Sequence, residues 1–103
     1  MKIAWKYDVA YLYGATGQLL AKGHVELIAG SYREGRRPYA EPLYRWKVWR
    51  VEADSWKTPD PMTGFCPEHF VWRMVEEQMI FVAKERLAEE TEAALLRAAA
   101  EPG

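Results

Sequence analysis

The chain contains one cysteine and two histidines, which are residue types that bind metal ions or act in catalysis. Cys66 and His69 are separated by two residues, and the second histidine, His24, is far away in sequence. Structural zinc sites use four protein ligands and catalytic sites use three, so the Cys66–His69 pair supplies too few ligands. We therefore predict no metal and no cofactor, and we interpret Cys66 as a buried thiol.

Asp8 and His24 form a second arrangement that could do chemistry, because a β-hairpin would bring them opposite one another. A carboxylate can orient an imidazole for proton transfer, but no nucleophile adjoins the pair in sequence. Cys66 precedes a predicted helix, where a thiol pKa can fall, yet its nearest base in sequence is His69. Phosphate-loop, nucleotide-binding glycine and zinc-protease motifs are also missing. We predict a protein that is not an enzyme and has no catalytic residues.

Cations alternate with aromatic rings between Tyr44 and Arg50. Proteins that bind single-stranded nucleic acid combine cationic grooves with rings on which bases stack. This pattern predicts nucleic-acid binding on one face of a sheet, as the alternative to a protein-interaction function. The residues predicted for that site are Lys6, Lys22, Arg36, Arg37, Arg45, Lys47, Trp49 and Arg50. The competing interpretation is that these cations keep an exposed sheet soluble.

Charge is unevenly distributed along a chain whose net charge is only −1. Residues 32–57 carry seven Lys or Arg against four Asp or Glu, a net +3, whereas residues 67–103 carry four against eight, a net −4. The basic middle and the acidic end are therefore expected to attract each other or to meet different partners.

The element that must position these residues is a predicted β-hairpin from Ile3 to Ala29. Its loop is predicted at 15–17, with Gly14 opposite Gln18 and Gly17 in the position that needs a positive φ. Apolar and aromatic residues occupy the odd positions of the first arm, and alternation would place them all against a core. These residues are Ile3, Trp5, Tyr7, Val9, Tyr11 and Tyr13.

The same register makes predictions about the other positions of the hairpin. Lys6 falls opposite Glu26, and Asp8 falls opposite His24, so both pairs are favourable across neighbouring strands. Gly23 leaves a gap that a diagonal aromatic residue or a local bulge would fill.

A third strand is predicted from Leu43 to Val51. Tyr44, Trp46 and Val48 alternate with Arg45, Lys47 and Trp49, so the first trio would face the core and the second trio the solvent. Residues 54–66 contain Pro and Gly and are predicted to form a connector. The alternative is a fourth short strand within 52–57.

A long helix is predicted over 67–100, since this segment holds no internal Pro or Gly and Pro67 suits the first helical position. The fold class is α+β: a single domain over 1–103 with a three-stranded antiparallel meander in 3–53 and the helix on its apolar face. The first half of the helix is broadly apolar and should lie on the sheet.

The second half of the helix carries a narrow stripe of small and apolar residues, which predicts a homodimer or another protein partner. The stripe consists of Leu87, Thr91, Ala94, Leu95 and Ala98. We predict a small non-enzymatic binding or protein-interaction module that self-associates through this stripe. A charged N-terminal segment and short apolar runs favour a cytoplasmic location and no membrane span.

Overall fold

The computed structural model describes residues 1–28, 42–51 and 60–100. It contains five strands and one helix in the order β1 (Lys2–Lys6), β2 (Val9–Tyr13), β3 (Leu19–Leu27), β4 (Leu43–Arg50), β5 (Met62–Pro67) and α1 (Glu68–Ala100). The strands form one sheet in the order β1-β2-β3-β4-β5, and each neighbouring pair is antiparallel. The predicted antiparallel sheet followed by one long C-terminal helix is confirmed, but the sheet has five strands rather than three or four.

The first additional strand arises because the first arm of the predicted hairpin turns back on itself. Tyr7 and Asp8 form a two-residue connection, so Lys6 pairs with Val9 and β1 never adjoins β3. The predicted Lys6–Glu26 strand pair is therefore wrong, since β2 lies between those two residues. A two-residue turn also changes which positions share a face: even residues of β1 lie on the same face as odd residues of β2.

This exchange determines which side chains of β2 enter the core. The even residues Ala10 and Leu12 are fully buried, whereas Tyr11 and Tyr13 are only partly buried. In β1 the odd residues Ile3 and Trp5 do pack against the core, as predicted. The prediction that Tyr7, Val9, Tyr11 and Tyr13 line the core is wrong, because it continued the alternation of β1 through an unrecognised turn.

The predicted loop between β2 and β3 is confirmed. Gly14 donates its N–H to the carbonyl of Gln18 at 2.8 Å, and Gly17 has a φ of 82°. The register then shifts, because Tyr13 pairs with Leu19 whereas Leu12 pairs with Ala21. This bulge leaves Leu20 without a partner in β2, and its side chain is fully buried.

Strand β5 forms where a connector was predicted. It contains Gly64, and the side chain of Trp46 on β4 packs over this glycine. Gly64 pairs with Trp46, and a Cβ at Gly64 would lie 2.8 Å from the indole ring. The ring therefore occupies the space that a side chain would fill. Because β5 is at the edge of the sheet, it also tolerates Pro61 before it and Pro67 as its last residue. The alternative strand within 52–57 and the connection over 29–41 lie outside the described residues.

Helix α1 covers one side of β3 and β4, and Arg45 and Lys47 of β4 lie on the other side. Its buried residues recur at steps of three and four, which is the spacing of one helix face. They are Val71, Val75, Met79, Val82, Ala83 and Arg86. The helix begins beside the sheet, where the Glu68 N–H donates to the carbonyl of Pro42 at 3.0 Å. Within the described part of the chain, no helix is long and apolar enough to cross a membrane.

Arg86 fixes the helix to one end of the sheet. Arg86 is only 8% exposed. Its Nη1 donates to the carbonyls of Leu19 and Val51, at 2.9 and 2.6 Å, and its Nε donates to Glu90 at 2.9 Å. The buried charge is thus hydrogen-bonded to strand ends and to a carboxylate, which offsets the cost of its desolvation.

We predict that Gly23→Ala destabilises the fold. The added Cβ would lie 2.5 Å from Val75 Cγ1 and 2.9 Å from Met79 Sδ, so α1 must move or its side chains must leave their rotamers. We expect a loss of about 1–3 kcal/mol in the free energy of unfolding, measured by chemical denaturation. Adding Val75→Ala should recover part of this loss, whereas an unchanged stability in Gly23→Ala would contradict the close approach.

Candidate nucleic-acid interface

The sheet has a second face, which we call the outer face, on the side away from α1. The register of the five strands defines its members. They are Lys2, Ala4, Lys6, Val9, Tyr11, Tyr13, Leu19, Lys22, His24, Glu26, Leu43, Arg45, Lys47, Trp49, Thr63, Phe65 and Pro67. Five Lys or Arg residues and four aromatic rings share this surface with a single strand carboxylate, that of Glu26. The surface is therefore basic and aromatic together.

Strand pairing arranges these side chains in rows across the sheet. Tyr11 pairs with Lys22, which pairs with Trp49, so the two rings lie on either side of one lysine; we call these three residues the ring row. A parallel row lies two residues further along each strand, and in it His24 pairs with Val9 on one side and with Lys47 on the other. Lys6 continues that line by pairing with Val9. We call the line of Lys6, His24 and Lys47 the cation row, after its two lysines.

Cations and rings also contact each other directly on the outer face. Lys22 Nζ lies 5.9 Å from the centroid of the Trp49 ring, and Arg45 Cζ lies 5.5 Å from that of Phe65. These distances are typical of cation–π interactions. Tyr11 and Tyr13 are stacked along β2, with centroids 6.5 Å apart and an interplanar angle of 28°.

Most of the residues predicted for nucleic-acid binding lie together on this surface. Those residues are Lys6, Lys22, Arg45, Lys47 and Trp49. Arg36 and Arg37 lie outside the described residues.

Arg50 departs from that prediction, because it follows Trp49 in β4 and therefore lies on the helix side. It pairs with Glu85 at 3.1 Å and with Glu89. The hydrogen bond from Arg50 lowers the pKa of the Glu89 carboxyl. Arg50 thus joins sheet to helix and is not part of the outer face.

Sequence reasoning missed three aromatic members of the outer face: Tyr11, Tyr13 and Phe65. The predicted alternation of the first arm assigns Tyr11 and Tyr13 to the core, and the predicted connector over 54–66 includes Phe65. The sequence does contain a signal for the orientation of β2. Ala10 and Leu12 are small or aliphatic, so they can face the core without any hydrogen-bond partner. A tyrosine hydroxyl requires a partner when it is buried, which favours the outer face for Tyr11.

Asp8 and His24 meet at the rim of the outer face, as predicted, although their strand register differs from the prediction. His24 Nε2 lies 2.9 Å from Asp8 Oδ2, while the strand partner of His24 is Val9. Asp8 reaches the imidazole from the turn. Its carbonyl also accepts the N–H of Val25 at 3.0 Å, so two interactions attach the β1–β2 turn to β3.

The candidate metal and nucleophile residues are separated by the sheet. Cys66 is buried on the helix side, and burial raises the pKa of its thiol, whereas His24 is on the outer face. Among residues 1–28, 42–51 and 60–100, no three side chains of the metal-binding types lie close enough to hold an ion. A groove of about 250 Å³ between β4, β5 and α1 is lined by other residues, Phe81 and Val82 among them.

The residues predicted for self-association follow the helix beyond its packed part. Leu87 is half-buried and packs against the core, and the Thr91 hydroxyl donates to the Leu87 carbonyl at 2.9 Å. Every residue from 88 to 100 is exposed, including Ala94 and Ala98. Leu95 and Leu96 are 66% and 64% exposed. Leu96 was not among the predicted residues.

Comparison with known proteins adds no relative from which a function could be transferred. No protein-family model matches the chain, and neither a curated protein nor a solved structure matches it. The function must therefore be argued from the surfaces of the molecule itself.

We predict that Cys66 reacts slowly with a thiol reagent in the folded protein. Burial limits access, and the raised pKa reduces the fraction of reactive thiolate near neutral pH. We expect a rate more than about tenfold below that in denaturant, followed by the absorbance of a disulfide reagent at pH 8. Equal rates with and without denaturant would show that the thiol is accessible and that its assignment to the core is wrong.

Proposed function

We propose that this protein is a non-enzymatic binding module that holds single-stranded nucleic acid on the outer face of its sheet. The observation that carries the proposal is the ring row, in which Tyr11 and Trp49 lie on either side of Lys22. Neighbouring strands are about 4.8 Å apart, so two strand steps separate the rings by about 10 Å. The arrangement supplies stacking platforms with a cation between them.

The chemistry of the outer face favours single strands over duplexes. Bases can stack on Trp49 or Tyr11 only when they are not already stacked in a duplex. Lys6 and Lys47, in the cation row, would contact phosphates of the same strand. This combination of phosphate contacts and sequence-tolerant stacking is typical of non-specific single-strand binding.

We predict that a fluorescently labelled single-stranded oligonucleotide binds in low salt and is released as salt rises. Trp49→Ala should weaken binding by about 5- to 150-fold, which corresponds to the stacking of one base. Lys47→Gln should weaken binding and also reduce the slope of log K against log salt by about 0.7, because one phosphate contact is lost. Fluorescence anisotropy over a salt series measures both quantities.

Lys84→Gln is the matched control for these variants, since Lys84 is an exposed lysine of α1 on the other side of the sheet. It should leave both affinity and salt slope unchanged. Absence of binding by the unaltered protein at micromolar concentration in low salt would refute the proposal. An equal loss of affinity in Lys84→Gln and Lys47→Gln would locate the binding elsewhere than on the outer face.

A second candidate function, self-association through the end of α1, is supported by a separate observation. Arg86 is the last buried residue of the helix, yet the helix continues to Ala100. A helical segment this short is marginally stable in water by itself. Burial of Leu95 and Leu96 against a second copy of the chain would stabilise it, and symmetric dimers are the commonest assembly.

For this second function we predict a dimer that Leu95→Glu converts to a monomer. Leu95 is chosen because it is exposed, whereas Leu87 packs against the core and its substitution would also destabilise the fold. Multi-angle light scattering over a range of concentrations measures the mass, and Lys84→Glu serves as the control. A monomeric mass for the unaltered protein at every concentration would remove this candidate.

A further inference from the structure

Tyr7 is the one non-glycine residue in the described parts of the chain whose backbone has a positive φ. Its φ is 58°, and its side chain is 92% exposed. It occupies the first position of the two-residue turn between β1 and β2, between Lys6 and Asp8.

Neither the backbone nor the core accounts for a tyrosine at this position. L-residues other than Gly, Asn and Asp rarely adopt a positive φ, because Cβ approaches a backbone carbonyl. Turns of this kind accordingly favour Asn, Asp or Gly. Since the ring of Tyr7 gains almost no burial, no packing offsets the unfavourable backbone conformation. A role outside the folding of the chain is the remaining explanation.

The turn that carries Tyr7 is attached firmly to the rim of the outer face. The residue on one side, Lys6, belongs to the cation row. On the other side, Asp8 contacts His24, which also belongs to that row, and accepts a hydrogen bond from Val25. The exposed ring therefore lies at the end of the cation row, on a turn joined to β3 by two interactions.

We propose that Tyr7 stacks on a base of the single strand whose phosphates contact the cation row. This inference rests on the proposed function and adds a specific residue at the rim of the site. A tyrosine suits the role because it presents a large, rigid ring with only two side-chain torsions to restrict on binding. Stacking on a base explains the exposure of the ring and also the retention of a tyrosine in a turn that favours asparagine.

The test is the pair of substitutions Tyr7→Asn and Tyr7→Phe, compared in thermal unfolding and in anisotropy with the same labelled oligonucleotide. Asparagine adopts a positive φ more readily, so Tyr7→Asn should raise Tm by about 2–6 °C. The same variant should weaken oligonucleotide binding by about 5- to 150-fold, through the loss of one stacked base. Tyr7→Phe keeps the ring and should bind as the unaltered protein does.

Phe81→Ala is the control, because Phe81 is another exposed aromatic residue but lies on α1. It should leave oligonucleotide affinity unchanged. If Tyr7→Asn binds normally while Trp49→Ala and Lys47→Gln bind weakly, the inference about Tyr7 is overturned and the proposed function stands. Absence of binding by the unaltered protein overturns both. A lower Tm for Tyr7→Asn overturns the argument that the tyrosine is unfavourable in this turn, and weak binding by Tyr7→Phe overturns stacking in favour of a role for the hydroxyl.

Discussion

The close approach of α1 to β3 at Gly23 is the contact on which the rest of the structure depends. Val75 and Met79 occupy the space that a side chain at position 23 would fill, so the helix can lie directly on the sheet. Arg86 then joins the same helix to the ends of two strands. One helix thereby covers one face of the sheet. Most of the strand cations and four aromatic rings consequently lie on the other face, which makes a binding surface possible.

Much of this architecture is predictable from sequence because its signals are local. Alternation in β4 correctly separates Trp46 and Val48 from Arg45 and Lys47, since no turn or bulge interrupts that strand. The loop ending at Gly17 is identified by a glycine that needs a positive φ. The helix is identified by a long segment that contains no internal Pro or Gly. These features explain why the cations of the outer face could be identified and why the class of fold was correct.

The strand number and three of the four aromatic rings of the outer face were not predictable by the same reasoning. The turn at Tyr7 and Asp8 contains no glycine, proline or asparagine. Its only turn-favouring residue is Asp8, which is a weak signal within a strand pattern that otherwise continues. Because side chains alternate with a period of two, overlooking this turn assigns Tyr11 and Tyr13 to the wrong face. The bulge at Leu20 likewise has no local signal. Only the packing of Ala10 and Leu12 beneath the helix distinguishes the observed pair of strands, β1 and β2, from one continuous strand.

The turn at Tyr7 and Asp8 links the strain in the backbone to the composition of the outer face. By exchanging odd for even positions, the turn moves Tyr11 to the outer face beside Lys22, and it simultaneously places Tyr7 at a positive φ. An asparagine at position 7 would keep the two-residue turn, and with it the faces of β2, and would adopt the positive φ with less strain. The tyrosine is therefore not needed for the fold that the turn creates. Local sequence and global fold disagree mainly at functional sites, and this disagreement lies at the rim of the outer face, where rings and cations are gathered.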